Sequence, residues 1–448
     1  MVSHDAPRWV RRLSADLDEP PEVIGGKAHG LVVLHRLGLP VPAGFVVTTA
    51  ACRAFLRDGR LPDGLRDELA AATLPPVVSV RSGAAVSMPG MMDTVLNLRP
   101  APDALEDALK AVFSSWNTPR ARTYRTLNGI PHDLGTAVVV QQMVFGDRDE
   151  RSGSGVAFSR DPNTGENVPS GEVLFGQQGD AVVSGRSLTL PLEALAEREP
   201  LVWRALRDAF GRIEEHYRDA CYVEFTFESG VLWLLQVRRG RFGGAAAVRV
   251  ATDLADEGAI EREEALLRVS AQHLAHVRTP RIAPGAEVLA RGLGVCPGVA
   301  AGRVALTADA AVRMAADEPV VLVRPETSPE DIRGLAAATG IVTARGGPAS
   351  HAAVVARSMG KPAVVGVTDL VVGAHSVSVR GHEVGAGAVI GLDGTGGEVV
   401  LGTPRVVTGA ADAHLGRLLE WADQVSGDRS ERDEAARLEA AHAVLHRR

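Results

Sequence analysis

The sequence predicts an α/β protein built of two units with a helical linker between them and a helical tail, and three observations carry that expectation. Short β-branched runs alternate with helix-period segments through residues 1–240. A second set of short valine-rich runs fills 288–402. Between them an Ala-rich, charged stretch ends in TPRIAPGAE (279–287), where two prolines and a glycine mark a boundary. A chain of 448 residues has room for about three domains of roughly 150 residues.

Taken in order, KAHGLVVLHRLGL (27–39) follows Gly25-Gly26 with apolar residues at helical spacing, whereas VVSVRSGA (77–84) and TAVVVQQMVFG (136–146) have the β-branched content of strands. YVEFTFESGVLWLLQVR (222–238) reads as two alternating strands joined at Glu228-Ser229-Gly230. The strand period of two puts Glu224 on one face with Tyr222 and Thr226, and Gln236 with Arg238. Residues 241–287, including DLADEGAIEREEALLRV, suit a helical linker. In the second unit VVLVR (320–324), GIVTA (340–344), PAVVG (362–366) and GEVVLG (397–402) are strand candidates. The tail, 403–448, carries two helical patterns broken at VSGDRS, whose apolar positions Leu415, Leu418, Leu419, Trp421, Ala435, Leu438, Ala441 and Leu445 are expected to cover the second unit or else to face a partner.

Composition narrows the function classes. Lys and Arg total 48 against 55 Asp and Glu, a net charge of −7 without a block of like charges, which removes the electrostatic basis for general nucleic-acid or anionic-membrane binding. A hydrophobic fraction of 45% with 23% charged residues is that of a folded chain. Cys52, Cys221 and Cys296 lie far apart without metal-ligand spacing, and the N-terminal residues lack an apolar signal core. No apolar run approaches the ~18 residues of a membrane span, so the expectation is a cytoplasmic, reduced protein.

The chemistry concentrates in TARGGPASHAAVVARSMGKPAVVG (343–366). A strand ends near Ala344, Gly346-Gly347-Pro348 turns the chain, and HAAVVARSM forms a helix closed by Gly360. His351 falls in the first helical turn, where unpaired amides and the positive dipole end favour a neutral imidazole and anionic charge brought to it. A lone histidine in such a place usually only caps or packs.

The surrounding string changes that. It resembles the phosphohistidine motif of the dikinase family that includes pyruvate, phosphate dikinase, Gly-Gly-Met-Thr-Ser-His-Ala-Ala-Val-Val-Ala-Arg, departing from it at Pro348 and Ala349. The resemblance implies that His351 is a swivelling phosphoryl carrier, with Arg345, Gly346, Gly347 and Ser350 forming its loop. Ala349 stands where plant-type enzymes have a regulatory threonine. GLGVCPGVAAGRV (292–304) and VRPETSPEDI (323–332) are similar to the same domain.

IGGKAHGLVVLHRLGLPVPAGFVVTT (24–49), VSVRSGAAVSMPGMMDTVLNL (78–98), SGVAFSRDPNTGE (154–166) and CYVEFTFESGVLWLLQVRRGR (221–241) resemble, in order, the family's nucleotide-binding domain, an ATP-grasp fold. That implies ATP binding by Lys27, Arg81, Gly90, Met92, Asp93, Thr94, Glu224, Gln236 and Arg238, with Mg²⁺ on Glu224 and Gln236. These residue types suit nucleotide chemistry, since cations pair with phosphates, and Glu and Gln offer hard oxygen ligands. Three departures stand out. The family's helical subdomain is missing between Leu98 and Ala111, Tyr222 replaces an Asp two residues before Glu224, and 46 residues after Gly402 cannot form the ~200-residue barrel that handles pyruvate.

The expectation is an ATP-dependent phosphotransferase of the dikinase type: His351 takes a phosphoryl group from ATP, AMP leaves, and the terminal phosphate goes to inorganic phosphate or to water. The acceptor is a small molecule or a separate barrel protein, so this chain alone is not expected to make phosphoenolpyruvate. The competing expectation is a non-catalytic or regulatory ATP-binding paralogue acting through a partner protein.

Overall fold

The computed structural model describes residues 9–88, 90–179, 189–240, 242–348, 350–408 and 413–447. By packing, the chain divides into one unit of Met1–Gly155, Phe175–Gly179 and Val223–Arg238, and a second of Val156–Leu174, Asp180–Tyr222 and Arg239–Arg448. This division does not follow the expected boundary at 240. Part of the reason is a buried ion triad: Arg160, whose side chain is 1% exposed, bonds Glu214 at 3.2 Å and Glu257 at 2.6 Å. It ties the segment around 160 and the helix Pro200–Tyr217 to the end of the helix Gly244–Asp256. A charge so deeply buried is tolerated only because both carboxylates meet it.

The first unit is organised by an antiparallel sheet in the order Val10–Arg12, Gly44–Val47, Ala137–Gln142, Val78–Gly83, Thr94–Leu98. The helices Thr49–Asp58 and Pro102–Ser115 cover it, burying Cys52, Leu105, Leu109, Val112 and Phe113 against Val47, Val80 and Val140. The helix Pro21–Arg36 is interrupted at Gly25, which has φ 77° and ψ 155°. A Cβ there would lie 1.5 Å from the carbonyl oxygen of Gly83, so only glycine lets the helix restart against the strand with Lys27 in its first turn. The expected hairpin forms as Cys221–Glu228 and Val231–Arg239, turning through Ser229 and Gly230, both at positive φ.

The second unit holds an eight-stranded sheet that starts at Val288–Arg291 and ends at Leu293–Cys296. Its middle strands Val299–Ala305, Val320–Arg324, Gly340–Thr343 and Ala363–Val365 run parallel. The helix His351–Met359 is the crossover between the last two, so its N-terminus lies at the carboxyl end of a parallel strand. The core beneath is valine-rich, from Ala290 to Val399, and forms a hydrophobic cluster of its own around this sheet. A three-stranded sheet over Leu370–Val372, Ser376–Val379 and His382–Gly385, not expected from the sequence, adds Val377, Val379 and Val384 to that core.

The tail corrects an expectation. Its helices Ala413–Ser426 and Glu434–Leu445 do not cover the eight-stranded sheet: Leu415, Leu418, Leu419, Trp421, Leu438 and Ala441 share one core with Val248, Leu254, Leu266 and Leu274 of the linker helices. The linker's apolar stripe needed a partner, and the tail supplies it. Linker and tail are one helical bundle rather than a tether and a cap.

Candidate functional site

In the first unit, Arg81 on the strand Val78–Gly83 is buried, and its Nη2 donates to Gln141 Oε1 at 2.5 Å and to the Leu235 carbonyl at 3.1 Å. Gln141 is itself buried and donates to the Pro42 carbonyl at 2.9 Å, which fixes the amide that holds the guanidinium. Arg81 Nε and Gln236 Nε2 are buried donors with no protein acceptor. Lys27 is pushed down to about 7, first by burial and then by Arg81 and Arg238, with Glu224 pulling the other way. Four of the expected residues therefore share one electrostatic neighbourhood, and it is short of anionic charge.

Thr94 pairs with Arg81 across the sheet. Gly90, at φ 70°, opens the turn to Asp93, whose amide donates to Ser115 Oγ at 3.1 Å and whose carboxylate meets Arg120. Met92 accepts from the same hydroxyl at 3.8 Å. Gln141, Ser115 and Arg120 were not singled out by the sequence. The one signal for Gln141 was a polar residue at a position of TAVVVQQM that follows a run of apolar ones.

In the second unit, His351 opens its helix after Ser350, whose hydroxyl donates to the Gly347 carbonyl at 2.7 Å. Gly346 turns the loop at φ 102°, and Thr343 Oγ1 donates to the Arg345 carbonyl at 2.7 Å. The Arg345 guanidinium bonds Glu326 at 3.2 Å in solvent. The His351 Nδ1 lies 3.1 Å from Thr327 Oγ1, while Nε2 is buried without a partner. Burial pushes the imidazole down to about 4, and Asp331 and Glu330 only partly offset it. A Cβ on Gly347 would lie 1.6 Å from Glu172 Oε1, so a side chain there would have to displace the Glu172 carboxylate. Ala349, expected to remove a regulatory site, lies outside the described residues.

Among the described residues no group of three or more His, Cys, Asp or Glu could hold a metal. The Glu224 carboxylate and Gln236 amide fit Mg²⁺ as hard oxygen donors, provided that a bound ligand supplies most of the shell, the usual arrangement for Mg²⁺ at phosphates. The unpaired Gln236 Nε2 and Arg81 Nε are in turn donors for anionic oxygens.

The cluster of buried cations in the first unit and the buried histidine at a helix start both lie in stretches that match known families. Residues 21–74 and 63–189 match the family described as pyruvate phosphate dikinase, AMP/ATP-binding domain, and residues 316–397 match the PEP-utilising enzyme, mobile domain. The chain is 35% identical to pyruvate, phosphate dikinase of Clostridium symbiosum and 36% identical to that of Rhizobium meliloti, over 93% of its own length and 60% of theirs. The chain carries the AMP/ATP-binding and mobile domains of the pyruvate, phosphate dikinase family and spans about 60% of the length of these relatives. D-alanine–D-alanine ligase from Bacillus anthracis, solved with ATP, is 14% identical over 56% of this chain and 66% of its own, at a TM-score of 0.27, too low to bear on the argument. Among the described residues no helix is long and apolar enough to cross a membrane.

Proposed function

We propose that the chain is an ATP-dependent phosphotransferase that phosphorylates its own His351, the first unit working as an ATP-grasp-type domain. The observation that carries this reading is a pair of complementary deficits: buried donors on Arg81 and Gln236 without an acceptor beside a Lys27 of depressed basicity, and a buried His351 Nε2 without a partner. The triphosphate fills the first, and Lys27, Arg81 and Arg238 hold it by charge-assisted hydrogen bonds. Glu224 and Gln236 would hold Mg²⁺, which when bound would neutralise charge on the phosphate oxygens.

Thr327 accepts the Nδ1 proton of His351, which keeps the lone pair on Nε2. Nε2 forms a bond to the β-phosphorus, the bond from that phosphorus to its bridging oxygen breaks, and AMP leaves with the oxygen. The terminal phosphoryl then passes to inorganic phosphate or water, and the remaining one to an acceptor that is a small molecule or another polypeptide. Since 244–277 are built into the helical bundle, any swivel of the His351 sheet turns outside those residues.

The test is AMP formation from ATP with Mg²⁺, together with acid-labile phosphate on the protein. Both disappear in His351→Ala if the reading is right. ATP binding without AMP or phosphoprotein in the unaltered chain overturns it and leaves a non-catalytic ATP-binding protein.

A further inference from the structure

Resting on that reading, we propose that Tyr222 is a positioning residue for His351, acting through the Phe158 ring and Arg357 on the loop that carries the nucleophile.

Tyr222 begins on the face of its strand opposite Cys221, Val223, Phe225 and Phe227, which are buried. A phenol is a poor ligand for a hard cation, so its place two residues before Glu224 needs another explanation. The ring packs on the buried pair Val156 and Leu174 and lies 5.0 Å from Phe158, tilted by 57°. The guanidinium of Arg357 stands 5.6 Å from the centre of the same Phe158 ring. Both amino groups of Arg357 are engaged elsewhere: Nη1 donates to the Val295 carbonyl at 3.2 Å, and Nη2 to the Pro348 carbonyl. The remaining surface of this cation is its flat face, which suits aromatic rings, and Phe158 with Tyr222 beneath provides them.

Arg357 lies in the last turn of the helix that His351 begins, and Pro348 lies three residues before His351. The chain of contacts therefore runs from Tyr222 through Phe158 and Arg357 to the loop Gly346–Ser350. Burial disfavours the charged guanidinium of Arg357, and the Glu172 and Asp161 carboxylates oppose that effect.

The test uses the full chain with Tyr222→Phe, which keeps the ring, and Tyr222→Leu, which keeps the apolar packing on Val156 and Leu174 and loses the ring. Three quantities are read: ATP affinity, the single-turnover rate of His351 phosphorylation at saturating ATP and Mg²⁺, and amide exchange across 346–350. We expect Tyr222→Leu to slow phosphorylation roughly two- to ten-fold, the range of an aromatic pair, with unchanged ATP affinity and faster exchange in the loop. Tyr222→Phe should restore both. Tyr222→Leu and Arg357→Ala together should cost less than the product of their separate effects. Weakened ATP or Mg²⁺ affinity in Tyr222→Leu, with wild-type loop exchange, would overturn the proposal and return Tyr222 to the nucleotide site; so would fully multiplicative effects. If the unaltered chain does not phosphorylate His351, the proposed function fails, and the loop-exchange comparison still decides the Tyr222 contact.

Discussion

The Nδ1 atom of His351 lies 3.1 Å from the hydroxyl of Thr327, a residue 24 positions earlier at the end of the neighbouring parallel strand's loop. Thr327 is buried, so the two groups meet away from competing water. Removing the hydroxyl while keeping the shape, Thr327→Val, leaves Nδ1 without its partner and frees the ring to exchange tautomers. One lost buried hydrogen bond corresponds to roughly a five- to hundred-fold slower phosphorylation of His351. Thr327→Ser should recover most of the rate, and nitrogen NMR of the ring should show more Nε2-protonated imidazole in Thr327→Val only. Equal rates in all three proteins would remove Thr327 from the site.

His351 titrates near 4 because burial disfavours its charged form. The sign of the stability effect follows. An unfolded histidine binds its proton near 6.5, so between about 6.5 and 4 the unfolded chain holds more protons than the folded one. Stability attributable to this group is therefore constant above about 6.5, falls as the pH drops toward 4, and levels off below. His351→Gln should unfold with a weaker acid dependence across that window. A ring proton signal of His351 that titrates at the ordinary value would contradict the burial argument directly.

Lys27, held at about 7 by burial and by Arg81, is partly neutral in the ligand-free protein at physiological pH. A bound triphosphate restores its charge, so ATP binding should take up protons, and affinity should fall as pH rises through 7 and beyond. Calorimetry in buffers of different ionisation enthalpy measures that uptake. Lys27→Met removes a desolvated cation at similar volume: the midpoint of thermal unfolding should rise at pH 6, where the penalty is largest, while His351 phosphorylation falls by about two orders of magnitude or more. No proton uptake in the unaltered protein would place Lys27 outside the phosphate site.

The sequence revealed the parts of this site that depend on local pattern. Gly346 and Gly347 before an alanine-rich helix locate His351 at a helix start, and the alternation of 222–238 puts Glu224 on a strand face without any knowledge of its partners. What it hid depends on contacts far apart in the chain. Gln141 holds Arg81 across 60 positions and Arg120 meets Asp93 across 27, with no local signature for either. The small sheet at 370–385 was missed because its turn is Arg380-Gly381, with both residues at positive φ, a geometry that Asn-Gly would have advertised. The tail's apolar stripe was visible, but a stripe does not name the surface that it covers; the linker helices do.

Among the described residues, Glu224 is the negative charge that acts on Lys27, with Arg81 and Arg238 as the other charged neighbours. Its loss should therefore do two things at once. Glu224→Gln should weaken Mg²⁺ binding and lower AMP formation by at least about ten-fold, and it should depress Lys27 further, since the one interaction that raises its basicity is gone. Magnesium titrations of AMP release read the first effect, and the pH dependence of Lys27 acylation reads the second. Full Mg²⁺-dependent activity in Glu224→Ala would show that the metal is held elsewhere.

The last prediction concerns the bundle. Leu418 and Leu254 are buried in one core although 164 positions separate them, so the linker helices and the tail should open as one cooperative unit. Leu418→Ala leaves a cavity in that core and should cost about 2–5 kcal/mol of local stability. Amide exchange distinguishes the packing partners. Protection should fall by the same amount in 248–254 and in 415–422, while the strands Val320–Arg324 and Gly340–Thr343 keep theirs, because their valines belong to a separate cluster. Exposure of those strands with the linker helices unaffected would mean that the tail covers the His351 sheet after all.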